Sequence, residues 1–447
     1  MFARYPPLFV ESMKYVFAPL AVFVVCLGIA TTYAQNSDNL RSVGNGIEVD
    51  AHGCVLPLSK EKAEALGKMM NNVLEPLPES LDRKVSLRKI SLKKLDAKVK
   101  TVVDQEEVLP DAVRYLGGLT SIDYIIAVPE ENDLLLLGPA EGWRADSAGN
   151  IVGNQTGLPV LMLEDFLTVL RAWNQPVTPR ILACSIEPTQ ETLTKLTRLH
   201  QQYPTLNANN ADAYRAALEE TYGENPITIT GVPASSRYAR VLVAADFKMK
   251  RIALGLEPSQ ARNIPSYVSL ISVSRSNILP QFNLVPEYAT LTHDSKKLTW
   301  RLGNLTVRAS SRATDGTDRA ALAWCRNMET NYEALVKAQP VFGELRNNMT
   351  FALAAVLIHK EKLLEKANCP LTILLDETKL KLMDHPIPKS AAYHSVKSRS
   401  GFSTIVASGA VEIDPVGTWR NNLRLDNRLD SERIRLIQTT GNEWWTP

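Results

Sequence analysis

Two periods of apolar spacing predict alternating helices and strands in the first half of the chain. Residues 92–104 carry apolar side chains at intervals of three and four, which predicts an amphipathic helix, and Ser91 is a suitable N-cap. Residues 122–128 form an unbroken apolar run, which is typical of a strand buried on both faces. Because such helices and strands alternate, we expect an α/β domain over residues 35–280 with a mixed, largely parallel sheet.

The pattern changes in the second half of the chain. Residues 281–310 alternate polar and apolar positions in short runs, which predicts antiparallel strands. Two long helices are expected near residues 317–338 and 341–366, on either side of Pro340. We therefore expect an α+β domain over residues 281–447, which ends in a charged helical tail.

The first 34 residues have the pattern of a secretory signal peptide. Basic residues come first, an apolar stretch of 15 residues covers Val16–Ala30, and a T-x-A motif ends at Ala34. A retained membrane anchor is the alternative, but the stretch is shorter than the ~20 residues of a bilayer span. We expect cleavage after Ala34, export to the periplasm, the cell envelope or the medium, and no transmembrane span in the mature chain.

Cleavage leaves four cysteines at wide and irregular spacing: Cys54, Cys184, Cys325 and Cys369. An even number of cysteines in an exported chain permits two disulfides. Buried free thiols are the alternative. The spacing argues against a zinc ribbon or a thioredoxin-like site.

The overall charge argues against nucleic acid as a partner. The 447 residues include 50 basic and 48 acidic side chains, so the chain has almost no bulk attraction for a polyanion. Residues 83–100 are an exception, with eight basic side chains and one acidic one. This run is suited to docking on acidic polysaccharide or lipid headgroups, but it has no aromatic residues for stacking on bases. A solvated helix face paired with acids elsewhere is the alternative.

The sequence contains none of the common enzyme signatures. It has no H-E-x-x-H, G-x-S-x-G, G-x-G-x-x-G or P-loop motif. The six histidines have no paired spacing, so we predict neither a metal site nor a cofactor.

The segment from residue 231 to 258 is the best candidate for a ligand site. Its loop ends at Ser235 and Ser236, and a predicted helix follows. A helical wheel puts four basic residues beside the apolar face: Arg237, Arg240, Lys248 and Arg251. Loop amides, the positive end of the helix dipole, Arg237 and Arg240 are suited to hold a carboxylate, phosphate or sulfate. Arginines paired with acids of the fold are the alternative.

Two further places are candidates for polar chemistry. Asp246 and Lys250 form an i, i+4 pair opposite the apolar face of the same predicted helix. The loop GPAEGW follows an apolar strand, where ligands of α/β sheets tend to bind. Glu141 in this loop is suited to acid or base chemistry and Trp143 to stacking on a sugar. A simple turn with a packed tryptophan is the alternative.

Several long phrases resemble a family of exported proteins of unknown function, found mainly in planctomycete-type bacteria. The phrases of the first half are LRKISLKKLDAKV (87–99), LGPAEGW (137–143) and SRYARVLVAADFKMKRIALGLEP (236–258). Those of the second half are VPEYATL (285–291), PVFGELRNNMTFALAAVLIHKE (340–361) and GAVEIDP (409–415). The resemblance implies export and brings no activity, and the four cysteines are not part of the shared pattern.

These observations favour a non-enzymatic, exported binding module of the cell envelope or surface that takes an anionic ligand. A secreted hydrolase with an unrecognised active site is the alternative. A structural assembly subunit is a third possibility, favoured only by the Trp444-Trp445 pair near the C-terminus.

Overall fold

The computed structural model describes residues 43–271, 280–288, 290–303, 305–311, 318–397, 404–438 and 443–446, and the predicted signal peptide lies outside these ranges. The described chain is a mixed α/β fold. Its strands are β1 (Val43–Gly44), β2 (Ile47–Val49), β3 (Cys54–Pro57), β4 (Val85–Ser91), β5 (Tyr124–Val128), β6 (Asp133–Ala140), β7 (Trp143–Ala145), β8 (Ile151–Gly153), β9 (Leu182–Ile186), β10 (Glu224–Thr230), β11 (Gln281–Tyr288), β12 (Leu291–His293), β13 (Thr299–Leu302), β14 (Leu305–Ser311), β15 (Ser390–Ala392), β16 (Val396–Lys397), β17 (Thr404–Ile405), β18 (Ser408–Ile413), β19 (Leu423–Leu425) and β20 (Trp445–Thr446). Its α-helices are α1 (Lys60–Val73), α2 (Glu79–Asp82), α3 (Leu92–Asp104), α4 (Asp111–Arg114), α5 (Leu163–Trp173), α6 (Gln190–Gln202), α7 (Ala211–Tyr222), α8 (Arg237–Leu254), α9 (Tyr267–Leu270), α10 (Arg319–Thr330), α11 (Tyr332–Ala338), α12 (Pro340–Lys360), α13 (Leu363–Lys366), α14 (Pro415–Asn422) and α15 (Arg428–Leu436).

Most strands pair into two large sheets. One has the order β1-β2-β3-β15-β10-β9-β18-β11-β14, and the other has the order β19-β12-β13-β5-β6-β4-β20. Among the described pairs, β3–β15, β11–β18 and β12–β19 are parallel and the others are antiparallel. The mixed α/β class is confirmed, whereas the prediction of a largely parallel sheet is wrong.

The connections between strands explain the antiparallel pairing. Two helices, α6 and α7, lie between β9 and β10, so the chain reverses three times and returns antiparallel to β9. β5 and β6 are buried on both faces, but only a short turn joins them, and they form a hairpin. Asn132 completes that turn in the left-handed conformation, with φ of 52°. Apolar composition predicts burial, whereas the connection sets the direction.

One sheet contains strands from both sides of the expected boundary near residue 280. β18 lies beyond that boundary, yet it pairs with β9 on one side and β11 on the other. The largest hydrophobic core also contains residues from both predicted domains. The two predicted domains therefore share a sheet and a core.

The second half contains antiparallel strands and the long helix α12, whereas the helix expected near 317–338 is divided into α10 and α11. β11 and β14 pair antiparallel over their whole length. Pro340 begins α12, as expected of a proline at the first position of a helix. The charged tail forms two helices, α14 and α15, on either side of β19.

Helices α5, α8 and α12 pack together next to the larger sheet. α12 is buried along almost its whole length and packs against both α5 and α8. α8 lies on β9 and β18. This packing brings the first turn of α8 beside α5. Within the described ranges, no helix combines the length and hydrophobicity needed to cross a membrane.

Candidate functional site

The loop before α8 and the start of that helix are as the sequence predicts. Ser236 is the N-cap, and its hydroxyl accepts a hydrogen bond from the Ala239 amide at 3.1 Å. Gly231 has φ of +86°, and a Cβ there would lie 2.5 Å from the Ile181 carbonyl oxygen. The loop is thus fixed at both ends.

The side chain of Arg237 does not face solvent. Its guanidinium contacts the carboxylates of Asp165 and Glu344 and lies 3.7 Å from that of Glu164. Asn45 donates a further hydrogen bond of 2.6 Å to Glu344. The protein's own carboxylates contact this guanidinium, which matches the alternative in which the arginines pair with acids of the fold.

Burial and mutual repulsion shift the pKa values of the acids around Arg237. The pKa of Asp165 rises to about 7 because burial and the neighbouring Glu164 and Glu344 outweigh the attraction of Arg237. Burial also opposes ionisation of Glu164, but the adjacent His385 and Arg237 lower its pKa overall. The three carboxylates surround one guanidinium, and Asp165 therefore holds a proton more strongly than an exposed aspartate.

The other predicted basic residues of α8 also serve the fold. Arg240 is buried, and burial next to Arg237 lowers its pKa to about 10. Lys248 and Arg251 both contact Glu257, at 2.6 and 3.3 Å. Lys248 and Arg251 thus pair with an acid of the fold, as in the alternative interpretation.

A cleft of about 690 Å³ opens beside this helix start. Ser235 and Ser236 form part of its wall, as do Thr168 and Arg171 of α5 and a segment that includes Lys381. The amide of His385 donates to the Ser235 carbonyl at 2.8 Å and holds that segment against the loop. The volume lies within the range of small-molecule sites. The predicted loop residues thus belong to a real concavity, although the predicted arginines do not line it.

Arg171 is the buried cation of this cleft. It is 5% exposed, and its Nε and Nη2 atoms donate to the carbonyls of Leu374 and Leu380, both at 2.9 Å. In the part of the chain that the structure describes, no group accepts a hydrogen bond from Nη1. Burial lowers the pKa of Arg171, and the charges of Glu377 and Asp376 offset part of this effect. These carbonyls therefore use two of the five N–H donors of Arg171.

The rim of the cleft carries charges of both signs. Lys381, Glu377 and Asp384 line it and are exposed. The buried end has the guanidinium of Arg171 and the N-terminus of α8, both positive. The preference of the cleft for an anion over a cation is therefore set at its buried end, because solvent screens charges least there.

Glu141 and Trp143 are both buried in the fold. Glu141 is 1% exposed and accepts from the amides of Gln155 and Thr156, at 2.8 and 3.2 Å, and from the Thr156 hydroxyl. Trp143 is buried edge-on against Tyr115. A buried carboxylate that holds a turn and a packed indole match the alternative interpretation, and neither residue lines the cleft.

Asp246 and Lys250 form the predicted pair, but inside the protein. Lys250 donates to Asp246 at 2.7 Å and to the Ile186 carbonyl at 3.2 Å. Burial raises the pKa of Asp246 to about 6 although Lys250 opposes this shift. The polar arc of the helical wheel therefore lies against β9 and is buried.

The basic run 83–100 does not form one continuous surface. Arg88 is completely buried in β4, where it donates to the carbonyls of Leu81, Arg83 and Gly117 and lies over the Trp445 ring. Burial lowers its pKa to about 10. The neighbouring Trp444 is also buried, so the tryptophan pair packs into the fold.

The cysteine alternatives are resolved in favour of free thiols. All four described cysteines are buried and unpaired. Among the described residues, no group of three or more His, Cys, Asp or Glu side chains is arranged to hold a metal ion.

Sequence reasoning missed Arg171 and Lys381. Arg171 lies in the last turn of LEDFLTVLRAW, where a single cation among apolar residues was the available signal. Lys381 had no comparable signal, because its segment is irregular and the cleft is assembled from remote parts of the chain.

Comparison with known proteins gives a partial family match and no activity. Residues 184–267 match a domain described as "Protein of unknown function (DUF1598)". The matched range includes α8 and the loop that lines the cleft. This confirms the expected likeness to proteins of unknown function, but it indicates neither compartment nor bacterial group. No curated protein and no solved structure matches the chain.

Proposed function

We propose that this is an exported, non-enzymatic binding protein that holds a small anionic ligand in the cleft beside α8. The observation that carries the proposal is Arg171, a nine-tenths buried guanidinium that lines the cleft and has no acceptor for Nη1 among the described residues. Glu377 and Asp376 offset only part of the effect of burial on this cation, so an anion in the cleft is attracted to it.

The surroundings of Arg171 support an anion rather than a cation. The first amides of α8 have no acceptor within the helix, and the helix dipole places partial positive charge at the same side of the cleft. Ser235 supplies a hydroxyl group, whereas the Thr168 hydroxyl donates to the Glu164 carbonyl at 2.7 Å. Two carbonyls fix the guanidinium in place, so binding costs little side-chain entropy.

The composition of the cleft favours binding over catalysis. Its described lining contains no histidine or cysteine, and its carboxylates, Glu377 and Asp384, are exposed on the rim. General acid-base catalysis needs a positioned group with a pKa matched to its task. Such a group is not found among the described lining residues.

Calorimetric titration with sodium hexanoate at low ionic strength tests the binding proposal. Arg171→Met should weaken binding about 30-fold or more, because a buried charge partner is lost. Lys381→Gln should weaken binding about two- to fivefold without unfolding the protein, since Lys381 is an exposed rim charge. The matched control is Lys379→Gln, which alters an exposed lysine of the same segment outside the cleft. Equal affinity in all four proteins would contradict the proposal.

Export is proposed from the N-terminal sequence pattern and has a separate test. N-terminal sequencing of the native protein should find Gln35 as the first residue. Retention of Met1 would contradict export by cleavage.

A further inference from the structure

The walls of the cleft between Arg171 and the solvent are mainly apolar. Seven of the lining residues are apolar side chains and lie on three separate segments: Ala172, Val177, Pro179, Val232, Pro233, Leu382 and Met383. Val177 is 87% exposed and Met383 is 50% exposed, so these two residues mark the mouth. Arg171 is 5% exposed and marks the floor. A ligand that enters thus meets apolar walls before it reaches the cation.

The donors left on Arg171 have a particular geometry. Nε and one N–H of Nη2 are used by the Leu374 and Leu380 carbonyls. The remaining donors are both N–H groups of Nη1 and one of Nη2, so they lie on two adjacent nitrogens. Donors on two nitrogens of one guanidinium are suited to the two oxygens of a carboxylate.

The rim limits the charge of the ligand. Glu377 and Asp384 repel a second negative charge near the mouth, where Lys381 is the cation that balances them. A ligand with one negative charge at its inner end and an uncharged body avoids that repulsion.

We infer that the ligand is an amphipathic monocarboxylate, with its carboxylate on Arg171 and its apolar body between Val177 and Met383; this rests on the proposed function. A cleft of about 690 Å³ accommodates a small ligand of this kind. A ligand of this kind also buries apolar surface of the protein, because its body covers the exposed side chains of Val177 and Met383.

Titration calorimetry with hexanoate, acetate and 1-hexanol separates this inference from the proposed function. Full burial tightens binding roughly fourfold per methylene, so four half-buried methylenes should make hexanoate bind about 15-fold more tightly than acetate. Equal affinities for hexanoate and acetate would overturn the inference and leave the anion site standing. Binding of 1-hexanol as tight as that of hexanoate would instead contradict the proposed function.

Variants of the mouth give a second measurement on a folded protein. Val177→Ser combined with Met383→Gln should weaken hexanoate binding about fivefold to tenfold and leave acetate binding unchanged. Val108→Ser is the matched control, because Val108 is 84% exposed and lies outside the cleft. Loss of hexanoate and acetate binding by the same factor, or no loss of either, would overturn the inference.

Discussion

Replacement of Arg237 by methionine tests the buried charge cluster most severely. The guanidinium contacts Asp165 and Glu344, whose side chains are 3% and 6% exposed, and it lies near the more exposed Glu164. Methionine fills a similar volume but leaves these carboxylates without their cation. Breaking a buried pair in this way costs about 3–5 kcal/mol. We therefore expect Arg237→Met to lower the free energy of unfolding by about that amount.

Urea unfolding at pH 7.5 measures this loss, and Arg251→Met is the matched control. Arg251 lies in the same helix, and its partner Glu257 keeps a second cation, Lys248, after the change. The control should lose about 1 kcal/mol or less. A loss of less than about 1 kcal/mol in Arg237→Met would refute the argument that the cluster is a buried, mutually dependent unit.

The pH dependence of the same variant gives an independent check. Carboxylates without a cation in a buried site have raised pKa values, so the folded variant binds more protons than its unfolded chain. Its stability should therefore fall as the pH rises from 5 to 8, and its deficit relative to the wild type should be smallest at pH 5. A deficit that does not change with pH would contradict this interpretation.

Three further predictions concern other buried groups. Glu141→Gln removes a charged acceptor from Thr156 and should cost about 1.5–3 kcal/mol in urea unfolding; an unchanged midpoint would contradict its structural role. Burial raises the pKa of Cys325 to about 12 and that of Cys369 to about 11. Both thiols should therefore resist Ellman's reagent at pH 8 until the protein is unfolded, and rapid labelling of the native protein would be inconsistent with this. Burial raises the pKa of Asp246 to about 6, so its contribution to stability is full below about pH 4 and is lost as the pH rises through 6. Urea unfolding of Asp246→Asn should therefore show a stability that depends less on pH than that of the wild type. Parallel pH profiles of the two proteins would refute this.

Features that depend on neighbouring residues could be predicted from the sequence. Ser91 caps α3, Ser236 caps α8, and Pro340 begins α12, as the sequence pattern indicates. Each of these signals acts within one helical turn. The direction of strand pairing depends on how the chain returns between strands, and apolar runs such as 122–128 carry no information about that path.

The candidate site also depends on contacts that the local sequence pattern does not predict. The helical wheel correctly separates an apolar and a basic side of α8, but it contains no information on what packs against the basic side. The acids that surround Arg237 come from residues 164–165 and 344, far away in the sequence. Arg171 gains its position from carbonyls more than 200 residues away. Long-range contacts therefore determine that Arg237 pairs with the protein's own acids and that Arg171 lines the cleft.

A crystal structure of the protein with bound hexanoate tests the central claim most directly. The account predicts the ligand in the cleft, with both carboxylate oxygens about 2.7–2.9 Å from the Nη1 and Nη2 atoms of Arg171 and with its tail directed toward Met383. Hexanoate bound elsewhere on the protein, or an empty cleft at saturating hexanoate, would contradict it.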